Sequence, residues 1–532
     1  MSPTLYRRAL LPEPGTPSSI SEPHRWSVLV DGGRVVEVRP DTSARSEAGA
    51  GAPEEVDLDG ALLLPGFVDA HAHVTETGLL LAGVDCSQAR TVGQILDAVA
   101  DLAKAGPGRQ VLGHGWDELK LAEGRPPTAQ ELDRAGGGAV VYLSRVDVHS
   151  AVVSGRLAER AGLRGLEGWD ESGRVERDAH HAARLATRFQ LPAAERSELQ
   201  HRALRHAAAQ GITQVHEMSA PHIAPDEDLL ALLDLGTGSG LPEIVAYRGE
   251  LAGDEAAARA VLDRFGGRLA GLAGDLMMDG SFGSRTAGLC DDYEDAHGHR
   301  GHLYADAAEV RDHLVACSRA GVQGGFHVIG DGAVSELLKG LRQAAELLGP
   351  EVLRVARHRL EHVEGIGGSD VGLLAELQVI ASVQPAFDAF WGGAEQMYAV
   401  RLGKARALAM NPFGDLQSAG VTLAFGSDSP VTPFAPWEGV RAALRHHNES
   451  QRLSVRAAIE GHTLGGLRAA RRPAGAHLRV QAGDPAVLMA WTSPGLKEAG
   501  AATSPKPLAV LGQELGQGEP VPQLVEVSRD RS

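Results

Sequence analysis

Eight apolar runs recur along this chain, and most of them carry, at or near the end, a residue that can hold a metal ion. The runs are Leu62–His71, Ile212–Met218, Glu243–Arg248, Leu276–Asp279, Gly324–Ile329, Arg357–His362, Ile380–Gln384 and Leu423–Asp428. Gly, Pro and polar turn residues bound them, and segments rich in Ala, Leu, Glu and Arg alternate with them. That alternation predicts parallel strands joined by crossover helices. Eight such strands close into a (β/α)8 TIM-like barrel, whose chemistry gathers at the C-terminal ends of the strands. His71, His216, Asp279, His327, His362, Gln384 and Asp428 stand at or near those ends.

The rest of the chain is arranged around this repeat. Roughly 140 residues separate the first and second runs, too many for a simple connection. They predict an inserted subdomain at about 82–200, with a helix over Thr91–Ala105 and an apolar run at Val140–Leu143. Trp26–Val38 reads as a hairpin around Asp31-Gly32-Gly33. Short apolar runs return at His477–Val480, Ala486–Trp491 and Leu508–Leu511. We therefore expect a small β-sandwich domain built from both termini, 1–65 and 471–532, around a barrel at 66–470. Ser43–Glu55 and the last dozen residues read as loop or tail.

Composition removes several function classes. With 69 acidic against 51 basic residues and a net charge of −18, the surface suits neither nucleic acid nor an anionic membrane. No stretch reaches the 18 or so apolar residues of a membrane span, and the first 21 residues do not resemble a secretory signal. Cys86, Cys290 and Cys317 are far apart and odd in number, which fits a reducing compartment. The expectation is a soluble cytoplasmic protein acting on a small molecule.

The chemistry concentrates first in Leu64-Pro65-Gly66-Phe67-Val68-Asp69-Ala70-His71-Ala72-His73. Residues two apart on a strand point the same way. His71 and His73 can therefore share one divalent ion through neutral imidazole nitrogens.

This stretch resembles the start of an amidohydrolase superfamily barrel. Later segments are similar to the amidohydrolase 3 branch, the YtcJ-like or N-substituted formamide deformylase-like hydrolases. They are Gly113–Asp117, Asp279–Ala287, Phe326–Asp331, Arg357–His362, Ser382–Pro385 and Phe425–Val431, in family order. The resemblance implies that His71, His73, His327, His362 and Asp428 are metal ligands. It further implies that Asp428 takes a proton from the attacking water. His362 is either a ligand or an acid or orienting group behind the ligands.

One departure matters. Many members carry a lysine four residues before this Asp-Gly, which resembles a carboxylated bridge between two metals; here the position is Asp275. Lysine occurs only at 104, 120, 339, 404, 497 and 506, in none of the expected barrel strands. A shorter aspartate needs a backbone shift to reach the same point. Asp275 then either binds metal in a rearranged pair or leaves a mononuclear site, so one or two ions are expected. Asp279 is a further candidate, as ligand or as partner of Arg285. Imidazole and carboxylate suit zinc, and also admit Fe, Mn or Ni.

Trp116, Asp117, His149, Arg285 and Gln384 are candidate substrate-binding residues, with Phe387, Phe390 and Trp391 as an apolar wall. His358 reads as structural, and His216 as either packing or support. The leading expectation is hydrolysis of a non-peptide carbon–nitrogen bond in a small amide, N-formyl compound or cyclic amide. A mononuclear deaminase of a small heterocycle and a catalytically silent scaffold are the alternatives. A homodimer is expected from the resemblance alone.

Overall fold

Eight parallel strands follow one another in chain order around a nearly closed sheet: Phe67–Ala72, Ile212–Ser219, Glu243–Arg248, Gly271–Leu272, Gln323–Val328, Arg359–His362, Ile380–Val383 and Thr422–Phe425. The computed structural model describes residues 3–12, 25–41, 52–188, 191–235, 240–473, 478–501 and 507–529. Six of these strands, among them Phe67–Ala72, Gln323–Val328 and Arg359–His362, are buried along their whole length. Helices cover the outside, and their ends follow local chemistry. Helix Ala307–Ala320 starts in a capping box of Asp306 and Glu309 and stops at left-handed Gly321.

The barrel seam lies between the last strand and the first. The Asp428 amide donates to the His71 carbonyl at 2.7 Å, and the His73 amide donates to the Ser429 carbonyl at 2.8 Å. Gly426 permits this approach, because a Cβ there would stand 2.5 Å from the His71 nitrogen.

Two further units flank the barrel. A five-stranded sheet (Val84–Asp85, Val111–Trp116, Val141–Arg145, Ser150–Val153, Arg174–Glu176) lies between the first and second barrel strands in the chain. Helix Val92–Ala105, capped by Thr91, packs on it. A β-sandwich is made from both ends of the chain. Its four-stranded sheet holds Thr4–Ala9, Trp26–Asp31, Arg34–Pro40 and Glu54–Asp57; its three-stranded sheet holds Leu62–Pro65, Val487–Thr492 and Gln523–Arg529. Tyr6, Val28, Val30, Leu63, Leu488 and Ala490 share the core between them.

Several expected boundaries are corrected. The run Leu62–His71 is two strands: Leu62–Pro65 pairs antiparallel with Val487–Thr492, and the barrel strand starts after Gly66. Continuous apolar character hid that break. The fourth strand is Gly271–Leu272, and 276–279 runs beyond it with one bridge from Met277 to His327. Pro507–Gln517 is a helix, burying Leu511 and Leu515, where a short apolar run suggested β structure. Leu478–Val480 is not a strand. Most of Ser43–Glu55 lies outside the described residues, although Glu54 and Glu55 begin a strand. The supposed C-terminal tail pairs with Val487–Thr492 through Gln523–Arg529. Among the described residues, no helix is long and apolar enough to cross a membrane.

The seam yields a test. Gly426→Ala should destabilise the protein by about 1–3 kcal/mol, the usual cost of overpacking a dense interior. Denaturant unfolding of wild type and variant measures it; equal midpoints and slopes would contradict the close approach.

Candidate metal centre

The strand ends bring His71, His73, Asp275, His327, His362 and Asp428 together. His71 Nε2 lies 3.4 Å from Asp428 Oδ1 and 3.5 Å from Asp275 Oδ1. His73 Nε2 lies 3.1 Å from Asp428 Oδ1 and 3.4 Å from Asp275 Oδ2. His327 Nδ1 stands 3.9 Å from Asp275 Oδ1. The His362 ring centroid is 4.9 Å from that of His71 and 4.5 Å from that of His327. Two overlapping donor triads result, His71–His73–Asp428 and His71–Asp275–His362.

These separations fit a cation better than hydrogen bonding. Donors about 2.0–2.2 Å from one tetrahedral ion sit about 3.3–3.6 Å apart. His71 Nε2, His327 Nδ1 and Asp275 Oδ1 are buried without a hydrogen-bond partner. Buried polar atoms are ordinarily satisfied, so three orphans facing one point need a common partner. Electrostatics agree. Burial opposes charge on Asp275, yet His73, His71 and His327 hold its carboxyl well below the usual range. Burial also opposes charge on His71, but Asp428, Asp275 and Glu361 hold it well above the usual imidazole range.

Backbone geometry aims the donors. His362 and Asp428 have φ values of 70° and 55°, in the left-handed region that non-glycine residues rarely enter. Such conformations cost on the order of 1–3 kcal/mol and persist only where surroundings enforce them. Both turn a side chain off a strand end toward the pocket. Close backbone packing brings Asp275 to the same pocket. Gly274 is left-handed against Met218, and a Cβ on Gly249 would meet the Asp275 carbonyl carbon at 2.6 Å. Two glycines thus let the chain after the short fourth strand run close enough for an aspartate to reach the histidines.

Behind the donors lies a layer of fixed partners. Glu361 Oε2 accepts from His71 Nδ1 at 2.9 Å, which turns Nε2 toward Asp275. Arg359 grips Glu361 at 2.6 and 3.0 Å and also donates to the Ala70 carbonyl and Ser382 Oγ. Burial opposes its ionisation, but Arg359 and His71 hold the Glu361 carboxyl down at about 2. Gln384 Oε1 accepts from His362 Nδ1 at 2.8 Å. Asp69 accepts the Ser427 and His71 amides and so pins the seam. The sequence reading missed Arg359, Glu361 and Asp69. The alternation in Arg359-Leu360-Glu361 could have exposed the first two, because it turns two opposite charges to the same side of a buried strand.

The other expected site residues separate. His149 and Gln384 reach the donor pocket: the His149 ring is 5.3 Å from His327, and Gln384 holds His362. Phe387 stacks on His362 with rings 10° apart, and Trp391 packs on Phe387. Phe390 is exposed and faces elsewhere. Trp116 is fully buried in the inserted sheet's core, donating to the Leu143 carbonyl, so its ring is a packing element. Asp117 accepts from Arg145, and Arg285 pairs with Asp295. Asp279 is neither ligand nor partner of Arg285; it accepts the amides of Gly288, Ile329 and Gly330. His358 Nδ1 accepts the Gly324 amide at the start of its neighbouring strand, and His216 lies against Arg359.

His327, His362 and Asp428 open into a narrow cavity, walled partly by Asp147, His149, Phe282, Phe387, Trp391 and Tyr398. Ionic ties hold the inserted sheet over it. Arg145 pairs with Glu118 and Asp147, Asp147 accepts from Ser281 and Ser284, and Arg401 bridges Glu118 and Asp295. A larger cavity, about 420 Å³, lies between Asp69, Phe390 and Arg445 and touches none of the six donors.

Known proteins share this plan. The model of the amidohydrolase family matches residues 54–502. The chain is 25% identical over 454 residues to the putative amidohydrolase YtcJ of Bacillus subtilis (strain 168), covering 79% of this chain and 82% of the relative. It is 23% identical over 453 residues to the N-substituted formamide deformylase of Arthrobacter pascens, covering 77% and 78%. An uncharacterized metal-dependent hydrolase from Pyrococcus horikoshii OT3 has the same fold, with a TM-score of 0.71, 24% identity and coverage of 93% and 98%. With a family match that spans most of its length, this chain belongs to the amidohydrolase family.

Proposed function

We propose that this protein hydrolyses a carbon–nitrogen bond other than a peptide bond, in a small amide, N-formyl compound or cyclic amide, with one or two divalent cations. The observation that carries the reading is the convergence of buried, unpartnered His71, His327 and Asp275 atoms with His73 and Asp428. Zinc suits this donor set by type. A bound cation would polarise the substrate carbonyl and acidify water at the site.

The chain's own groups supply the rest. Asp428 takes the proton from water and returns it to the leaving nitrogen, as a carboxylate 3.1 Å from His73 at the cavity edge can do. Gln384 holds the His362 ring with its other nitrogen toward the pocket. Phe387 and Trp391 keep that side dry, which strengthens each electrostatic contact. The narrow cavity favours a small substrate. The name of the A. pascens relative, an N-substituted formamide deformylase, supports an amide carbonyl as the target.

Asp428→Asn should lower kcat by about 10²- to 10⁴-fold, the usual contribution of a proton-transfer group. Steady-state assays on amide and formamide panels measure it; full turnover by this variant would remove Asp428 from the mechanism. In the same panels, release of an amine or a carboxylic acid supports the proposal, whereas ammonia from heterocycles alone would favour deamination.

Glu361→Gln should cost about 3–5 kcal/mol of stability, because Arg359 is left buried and uncompensated. Folded Glu361→Gln protein should also bind metal about 10- to 100-fold more weakly, as expected when the partner of a ligating histidine is lost. Chelator competition measures the second effect, and unchanged affinity would contradict the role of Glu361.

A further inference from the structure

Arg184, on helix Arg177–Arg188 of the insertion, is only 7% exposed and forms no ion pair with a carboxylate among the described residues. Its Nη2 donates to the Val148 carbonyl at 2.6 Å, and its Nε has no hydrogen-bond partner. The nearby acids are already engaged. Glu76 is gripped by Arg188, Asp147 pairs with Arg145, and Asp275 belongs to the donor cluster. A buried guanidinium left without an anion is costly unless a ligand supplies one.

The surroundings point to that ligand's position. Val148 is left-handed, with φ 52°, an unfavourable state for a β-branched residue. This turn offers the Val148 carbonyl to Arg184 and swings the next residue, His149, to 5.3 Å from His327. The His181 and His222 rings lie 4.8 Å apart, and Arg184 and His149 act electrostatically on His222. All three imidazoles are partly exposed and none makes a hydrogen bond among the described residues. Burial, the largest influence on it, pushes His181 down to about 4. Near neutral pH His181 is therefore an uncharged N–H donor beside one fixed positive charge.

We propose that Arg184, with His149, His181 and His222, is a binding subsite for a carboxylate carried by the substrate close to its scissile amide. This rests on the hydrolase reading above and narrows its substrate to small acid amides. One guanidinium with neutral donors matches a monoanion. Arginine's planar fork suits the two carboxylate oxygens.

The test compares N-formyl-, N-acetyl- and N-benzoylglycine with the corresponding glycinamides, using the protein as purified. Binding is read by calorimetry and cleavage by amine release. The carboxylates should bind about 10- to 100-fold more tightly than the carboxamides, as for a charge-assisted pair. Arg184→Gln should abolish that preference, and His222→Gln, on the partly exposed rim, should reduce it. Equal binding of both series to wild type would overturn the subsite. So would a preference that survives Arg184→Gln, because the donor cluster would then be holding the carboxylate. If circular dichroism shows that Arg184→Gln does not fold, His181→Gln and His222→Gln decide: an undiminished preference in both overturns the proposal. An Arg184-dependent preference without cleavage of any amide would remove the carbon–nitrogen hydrolase reading and leave the subsite standing.

Discussion

Holding His71 and His73 within 3.5 Å of both Asp275 and Asp428 is the constraint on which the rest of this structure depends. Desolvating a charged group costs far more than desolvating an apolar one, and the cost is recovered only by partners in close register. Here the partners are arranged so that several lone pairs share one small volume. No single hydrogen-bond pattern satisfies them all, as the unpartnered His71, His327 and Asp275 atoms show. A positive ion at their common focus satisfies all of them together.

The fold meets that constraint from several directions. Strand closure places His71 and Asp428 side by side through a backbone hydrogen bond that the absence of a side chain at Gly426 permits. Glycines at 249 and 274 bring Asp275 in from the short fourth strand. Arg359, Glu361 and His71 form a chain of buried contacts between two strands, which fixes the imidazole that both donor triads share. Over the mouth, the Arg145 and Arg401 networks tie the inserted sheet to barrel loops. The same sheet contributes His149 to the cavity wall.

Much of this could be read from residue order, because a barrel puts its chemistry at strand ends. Apolar runs ending in His71, His327, His362 and Asp428 mark those ends directly. Asp275 also stood out, as a carboxylate where the resemblance led to a lysine. What stayed hidden depends on geometry rather than residue type. The break at Gly66 lies inside continuous apolar sequence, and helix Pro507–Gln517 presents the same short apolar run as a strand. Trp116 and Arg285 look like binding groups until their partners, Leu143 and Asp295, are seen. Glu361 is marked only by its alternation with Arg359, and its role depends on a histidine 290 positions away. Arg184 is visible only as a missing partner, which a sequence cannot display.

The central claim is that the donor cluster holds a divalent cation with Asp275 as one of its ligands. Elemental analysis of wild-type protein and Asp275→Ala, each purified without added metal and again after zinc loading, tests it most directly. The account predicts at least one ion per wild-type chain after loading and a clear loss in Asp275→Ala. Near-zero metal in both proteins would contradict the metal centre, and equal full occupancy in both would contradict the place of Asp275 in it.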